Sequence, residues 1–304
     1  MKFSCRPFWI FLFAGLLFMP SSGTVVAAQK TPALSVAVSI KPLHSLISGL
    51  MEGTGSQPSL IVPGGASPHA YSLRPSDARK IDRARLIFWI GPGLESFLVK
   101  PLQSLADKAR IVTFLPQQEA TTARQGQDHN HHGASPHIWL SPIEAIGIVK
   151  IAAARLAEAD PGNADRYRHN AAVVNKRLRD LQAEISNRLR PVRSKPFIVF
   201  HDAYDHLAKA FGLTIAGVVT VSPDRAPGAR RIATLRKLMA ASKASCLFGE
   251  PQIGPRRLNM IVENIKNART GILDPLGANI PAGKDMYFIL MRANAQALVD
   301  CLSG

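Results

Sequence analysis

Short apolar runs alternate with longer helical patterns in both halves of this 304-residue chain. In the first half, runs such as residues 34–40 and 86–90 have the length and the apolar, partly β-branched character of buried strands. A second series of the same kind begins at Phe197. Because strands that alternate with helices build parallel sheets covered by helices, the pattern predicts an α/β fold with two parallel-sheet lobes.

The stretch between the two series has a different periodicity. Apolar residues recur there at mixed three- and four-residue steps from 142 to 189, and Asp160-Pro161-Gly162-Asn163 interrupts them. This spacing predicts two helices, the second of them long. The predicted division is therefore an N-terminal lobe at 29–142 with a polar, His-containing loop at 124–135, a helical linker at 143–195 and a C-terminal lobe at 196–304.

Residues 1–28 have the pattern of a secretory signal peptide. Lys2 and Arg6 precede an apolar run at 8–19, and the small residues Val26-Ala27-Ala28 follow it. The alternative is an uncleaved anchor, but the run is shorter than the roughly 20 residues that span a bilayer. We therefore expect an exported protein whose mature chain begins near Gln29.

The formal net charge of +16 raises the question of a nucleic-acid partner. The basic residues are spread over helical segments, often near acids, and aromatic residues that could stack bases do not interleave with them. A solvated basic surface is the simpler interpretation, and an exported protein has little access to nucleic acid. We expect no nucleic-acid partner.

Two cysteines remain after the signal peptide, Cys246 and Cys301. In an oxidising compartment such a pair is expected to form one disulfide. A cysteine zinc site is the alternative, but neither residue has a second cysteine or histidine at short spacing.

Three histidines stand where a strand is expected to end and a loop to begin: His69, His137 and His201. Imidazole is a preferred zinc ligand, and three of them leave one tetrahedral position for water or a carboxylate. Asp274 also follows a predicted strand, and parallel sheets bind ligands beyond the carboxyl ends of their strands. Asp274 is thus a candidate fourth ligand; the alternatives are a helix cap or a group that orients a histidine.

The predicted loop contains a second group of histidines. It includes Asp128-His129-Asn130-His131-His132, which is typical of a metal-collecting segment and equally of a solvated loop. His129, His131 and His132 are therefore possible secondary metal ligands. His169 and His206 fall on predicted helices and are expected to be ordinary surface residues.

Seven motifs, in order along the chain, resemble one known family. The chain resembles the periplasmic zinc-binding component of bacterial high-affinity zinc-uptake ABC transporters, the ZnuA-like family. The matching stretches are Ser39-Ile40-Lys41-Pro42-Leu43, Pro63-Gly64-Gly65-Ala66-Ser67-Pro68-His69, Tyr71-Ser72-Leu73-Arg74-Pro75-Ser76-Asp77, His137-Ile138-Trp139-Leu140-Ser141-Pro142, Phe200-His201-Asp202-Ala203-Tyr204, Phe248-Gly249-Glu250-Pro251-Gln252 and Leu273-Asp274-Pro275-Leu276-Gly277.

The resemblance implies two α/β lobes joined by a long bridging helix, with the metal in the cleft between them. It implies a monomeric, periplasmic solute-binding protein, not an enzyme, that captures Zn²⁺ and delivers it to a membrane permease. The family's histidine ligands correspond to His69, His137 and His201, and its fourth ligand to Asp274 or water. The family's C-terminal disulfide corresponds to Cys246 and Cys301.

Two alternatives stay open on the sequence alone. Manganese-specific relatives typically have glutamate at the position of His201, and imidazole there favours zinc. A zinc hydrolase also uses three histidines and an open position, but it needs a general base. The chain has no HExxH motif, and Glu250 is the only carboxylate in a comparable strand-end motif.

Overall fold

The fold is described from a computed structural model, which defines residues 1–4, 33–116, 135–220, 228–263 and 265–304. Most of the predicted signal peptide and most of the histidine loop, with His129, His131 and His132, lie outside these residues. Residues 33–304 form one compact unit. The division at 142 and 195 stays a prediction.

In the part of the chain described, the first lobe is built on a four-stranded parallel sheet in the order β2-β1-β3-β4. Its central strands β1 and β3 are buried along their whole length, as their apolar sequences predict. The elements are β1 (Val36–Val38), α1 (Lys41–Leu50), β2 (Pro58–Leu60), α2 (Pro75–Arg83), β3 (Leu86–Trp89), α3 (Val99–Leu105) and β4 (Arg110–Thr113).

Two helices follow the first sheet. The first, α4 (Pro142–Ala159), begins at Ser141, whose hydroxyl accepts a hydrogen bond from the backbone amide of Glu144. Asp160 ends this helix, and after a short turn the chain continues as α5 (Ala164–Leu189). At 26 residues α5 is the long bridging helix that the sequence predicts.

The second lobe repeats the strand order of the first, with a parallel sheet β6-β5-β7-β8 among the described residues. No internal repeat is evident in the sequence, so this correspondence is visible only in the fold. The elements are β5 (Phe197–His201), α6 (Asp205–Phe211), β6 (Ile215–Thr220), α7 (Ala229–Ser242), β7 (Cys246–Gly249), α8 (Pro255–Val262), β8 (Arg269–Ile272) and α9 (Met286–Ser303).

A single hydrophobic core joins the two lobes. It includes Leu43 of α1, Leu178 of α5, Phe197 of β5 and Leu298 of α9, all of them fully buried. Smaller apolar clusters lie on the far face of each sheet. Burial of apolar surface is the main stabilising term in folding, so the lobes are expected to depend on each other for stability.

Polar contacts add to this connection. The ammonium group of Lys41, at the start of α1, donates hydrogen bonds to the backbone carbonyls of Gly277, Ala278 and Ile280 in the loop after β8. In the second lobe a disulfide joins Cys246 of β7 to Cys301 of α9, which confirms the predicted pair. Within the described residues, no helix combines the length and apolar character that crossing a bilayer requires.

Candidate metal centre

The three histidines predicted as ligands come together at the carboxyl ends of the strands. Their candidate ligand nitrogens all lie within 4.8 Å of one another, and the Nε2 atoms of His69 and His137 are 3.4 Å apart. The ring centroid of His201 lies 5.1 Å from that of His69 and 5.0 Å from that of His137. Three ring nitrogens this close to one another form a donor set that a cation would stabilise.

Local structure explains why each histidine reaches this point. His69 lies in the loop after β2, which turns at Gly65, a residue with a positive φ of 83°. His137 precedes the short helical turn that leads into α4, and His201 is the last residue of β5. The first two thus come from the chain before α5 and the third from the chain after it.

His201 is held by a buried carboxylate. Its Nδ1 lies 2.9 Å from Oε1 of Glu250, and both residues are 2 % exposed. The hydroxyl of Tyr204 donates to the same oxygen at 3.4 Å and to the carbonyl of Leu273 at 2.9 Å. A carboxylate on Nδ1 fixes the ring orientation and makes Nε2 a stronger ligand.

His137 is held in a similar way. Its Nδ1 lies 3.0 Å from the hydroxyl of Ser135, whose carbonyl oxygen is 2.7 Å from Nε2 of His206. Burial, with further contributions from His201, His69 and His206, holds the pKa of His137 well below its usual range, so the ring is neutral and can bind a metal. The expectation that His206 is an ordinary surface residue was wrong, because it supports this segment.

One atom indicates directly that the cluster fits a cation. Nε2 of His201 is buried and has no hydrogen-bond partner among the described residues. A buried polar nitrogen without a partner is energetically costly, whereas a metal at that position would satisfy it. Three imidazole nitrogens are also the donor set that zinc favours.

Asp274 does not join the cluster. Its Oδ1 accepts hydrogen bonds from the backbone amides of Leu276 (2.9 Å) and Gly277 (2.8 Å), and its Oδ2 accepts one from Ala278 (2.6 Å). The carboxylate caps the loop that follows β8, so both of its oxygens are engaged by backbone amides.

Glu250 has the histidine-orienting role that the sequence analysis left open as one alternative for Asp274. It directly follows β7, the neighbour of β5, so the sheet places its carboxylate beside His201. The strand-end motif Phe248-Gly249-Glu250 was a usable signal, but its meaning depended on a strand order that the sequence does not reveal.

Two aromatic residues form walls of the site. The Trp139 ring lies 5.2 Å from the ring of His137, and its Nε1 donates to the carbonyl of Pro275 at 2.7 Å. Trp139 and Tyr204 are 0 % and 1 % exposed, so both pack fully into the protein beside the site. Water is therefore kept from the part of the centre that these two side chains cover.

Paired parallel-sheet lobes, a long bridging helix and a histidine cluster at the strand ends define a metal-binding solute-binding protein. Residues 36–301 match the family described as "Zinc-uptake complex component A periplasmic". This chain belongs to that family, and the resemblance found in the sequence is confirmed.

Individual relatives agree with this assignment. The high-affinity zinc uptake system protein ZnuA of Brucella suis biovar 1 (strain 1330) is 41% identical, over 88% of this chain and 91% of the relative. ZnuA of Yersinia pestis is 34% identical over the same fractions of the two chains. A crystal structure of ZnuA superposes with a TM-score of 0.73 at 25% identity, over 89% of this chain and 99% of that one.

Proposed function

We propose that this protein captures Zn²⁺ in the periplasm and delivers it to the membrane permease of an ABC transporter. The observation that carries the proposal is the convergence of His69, His137 and His201 around the unpartnered Nε2 of His201. Imidazole ligands favour zinc over manganese, which prefers oxygen. The zinc-uptake role of the similar ZnuA proteins supports the same choice of metal.

The proposal includes that the protein is a monomer and that its signal peptide is cleaved after Ala28. A zinc hydrolase is a weaker candidate, because it needs a general base near the metal. Glu250 was the candidate for that base, and its carboxylate is hydrogen-bonded to His201. Its geometry supports a positioning role for that carboxylate.

The test is a calorimetric titration of the metal-stripped mature protein with Zn²⁺ and with Mn²⁺. We expect one tight zinc site and weak manganese binding, and we expect His201→Ala to lose the tight site. His169→Ala is the matched control, because His169 is an exposed histidine on α5, far along the chain from the cluster motifs. Tight zinc binding that survives His201→Ala, or a preference for manganese, contradicts the proposal.

A second variant separates ligation from orientation. Glu250→Gln keeps a hydrogen-bonding side chain of similar size but removes the charge that stabilises the metal-bound imidazole. Loss of such a supporting group typically weakens metal affinity about 10–100-fold. We expect an intermediate affinity, between those of the wild type and His201→Ala.

A further inference from the structure

The histidine cluster opens on one side into a cavity of about 200 Å³. A single water needs roughly 10–15 Å³ of such volume, so this space exceeds what one metal-bound water would fill. The side chains that line it, apart from the histidines, include Glu250, Gln252 and Arg257. The cavity is therefore large enough for a small molecule beside the metal.

No carboxylate among the described residues completes the metal site. Both oxygens of Asp274 accept backbone amide hydrogen bonds, and Oε1 of Glu250 is bonded to His201. Zinc with three protein ligands keeps its fourth tetrahedral position open to water or another ligand. That ligand must come from outside the described protein groups.

The charge around the open position favours an anion. Three neutral imidazoles leave the full +2 charge on bound zinc. Arg257, on α8, adds a further positive charge at the cavity wall, and Glu250 removes one. No hydrogen bond or ion pair to the Arg257 guanidinium occurs within the described residues, so its planar fork is available to a carboxylate.

We propose that the site binds zinc together with a small carboxylate, which ligates the metal through one oxygen and pairs with Arg257. This inference rests on the proposed zinc-binding function and names the fourth ligand of that site. The carboxylate belongs to a small organic acid or an amino acid that accompanies the metal. Binding of the two ligands is then mutually strengthening, as linkage requires.

The test measures zinc affinity with a chromophoric competitor in sodium perchlorate, with and without sodium acetate at equal ionic strength. Acetate in bulk solution complexes some zinc and on its own lowers the apparent affinity. Acetate that binds beside the metal in the site raises the zinc affinity instead, and we expect saturating acetate to raise it about tenfold. A cobalt-substituted sample provides a second readout, because carboxylate ligation changes the visible absorption bands of Co²⁺.

Arg257→Gln and Arg256→Gln form the matched pair. Both arginines are exposed on α8, but only Arg257 lines the cavity. The acetate effect on affinity and on the cobalt spectrum is expected to disappear in Arg257→Gln and to persist in Arg256→Gln. An effect that persists in Arg257→Gln overturns the role of Arg257.

The outcomes also separate this inference from the function on which it rests. Tight zinc binding in perchlorate that acetate does not strengthen overturns the carboxylate proposal and leaves zinc capture intact. Absence of tight zinc binding in every buffer overturns the proposed function itself. Sodium chloride tests the chemical class, and a chloride effect equal to that of acetate overturns the assignment to a carboxylate.

Discussion

At the scale of single residues, the site depends on which nitrogen of each ring is already engaged. The Nδ1 atoms of His137 and His201 face Ser135 and Glu250, which leaves their Nε2 atoms for the metal. His201 could be predicted because the end of β5 is readable from its apolar run, whereas His69 lies within a loop and His137 precedes a helical turn, so their prediction depended on the motifs around them. The role of Glu250 could not be predicted, since it depends on which strands are neighbours.

Glu95 is a buried carboxyl outside the metal centre. It lies in the loop after β3, is 0 % exposed, and its Oε2 accepts a hydrogen bond from the amide of Gly91 at 2.9 Å. Burial raises the pKa of Glu95 from its ordinary value of 4.5 to about 7. The folded protein therefore keeps this proton over a pH range in which the unfolded chain has released it.

We predict that this carboxyl makes the protein less stable as the pH rises. Between the two pKa values the folded state binds more protons, so the free energy of unfolding falls with pH, by about 3 kcal/mol in total. Urea unfolding of the metal-free protein at about pH 5 and about pH 8 measures this change. Glu95→Gln removes the contribution, and equal pH dependence in the two proteins contradicts the prediction.

At the scale of elements, most strands and helices could be predicted from local pattern. The strand β2 is an exception, because it comprises Pro58–Leu60 and so overlaps the apolar run Leu60-Ile61-Val62 by only one residue. Only three of its residues pair with β1. So short a strand is defined by that pairing, which the local sequence does not reveal. The shared strand order of the two sheets was hidden for the same reason, since pairing is a long-range property.

The disulfide between β7 and α9 gives a prediction at this scale. It closes a loop of 55 residues, and in the chain-entropy model such a crosslink stabilises the folded state by roughly 4 kcal/mol. Cys246→Ala combined with Cys301→Ala should lower the free energy of unfolding in urea by about this amount. The reduced wild-type protein should match the double variant; a loss below about 1 kcal/mol in both contradicts the model.

At the scale of the whole molecule, the two lobes share one core. The sequence predicts two lobes and a linker, but it does not indicate that α5 and α9 bury their apolar faces against both. Ion pairs of α5 with the second lobe, such as Arg177 with Asp285 (2.6 Å) and Arg292 with Glu184 (2.7 Å), add to this packing. Large hinge motion of one lobe against the other would open this core.

We therefore predict a single unfolding transition for both lobes. Tryptophan fluorescence, which reports on Trp89 and Trp139, should change at the same urea concentration as hydrogen exchange in β5 and β7. Leu178→Ala in α5 should destabilise both lobes equally, by about 2–5 kcal/mol. Val173→Ala, at a position 48% exposed on the same helix, should have little effect. Separate transitions for the two sheets contradict the prediction.

The packing of the last helix has a consequence for the order in which the chain can fold. In α9 the amide of Tyr287 donates to the hydroxyl of Ser45 in α1, and the two helices share the core. A ribosome that adds about 5–20 residues per second needs roughly ten to fifty seconds to proceed from one helix to the other. During that interval the first lobe lacks part of its core. The first lobe can therefore complete its core only when α9 has been made, so the chain reaches its full set of native contacts near the end of its synthesis.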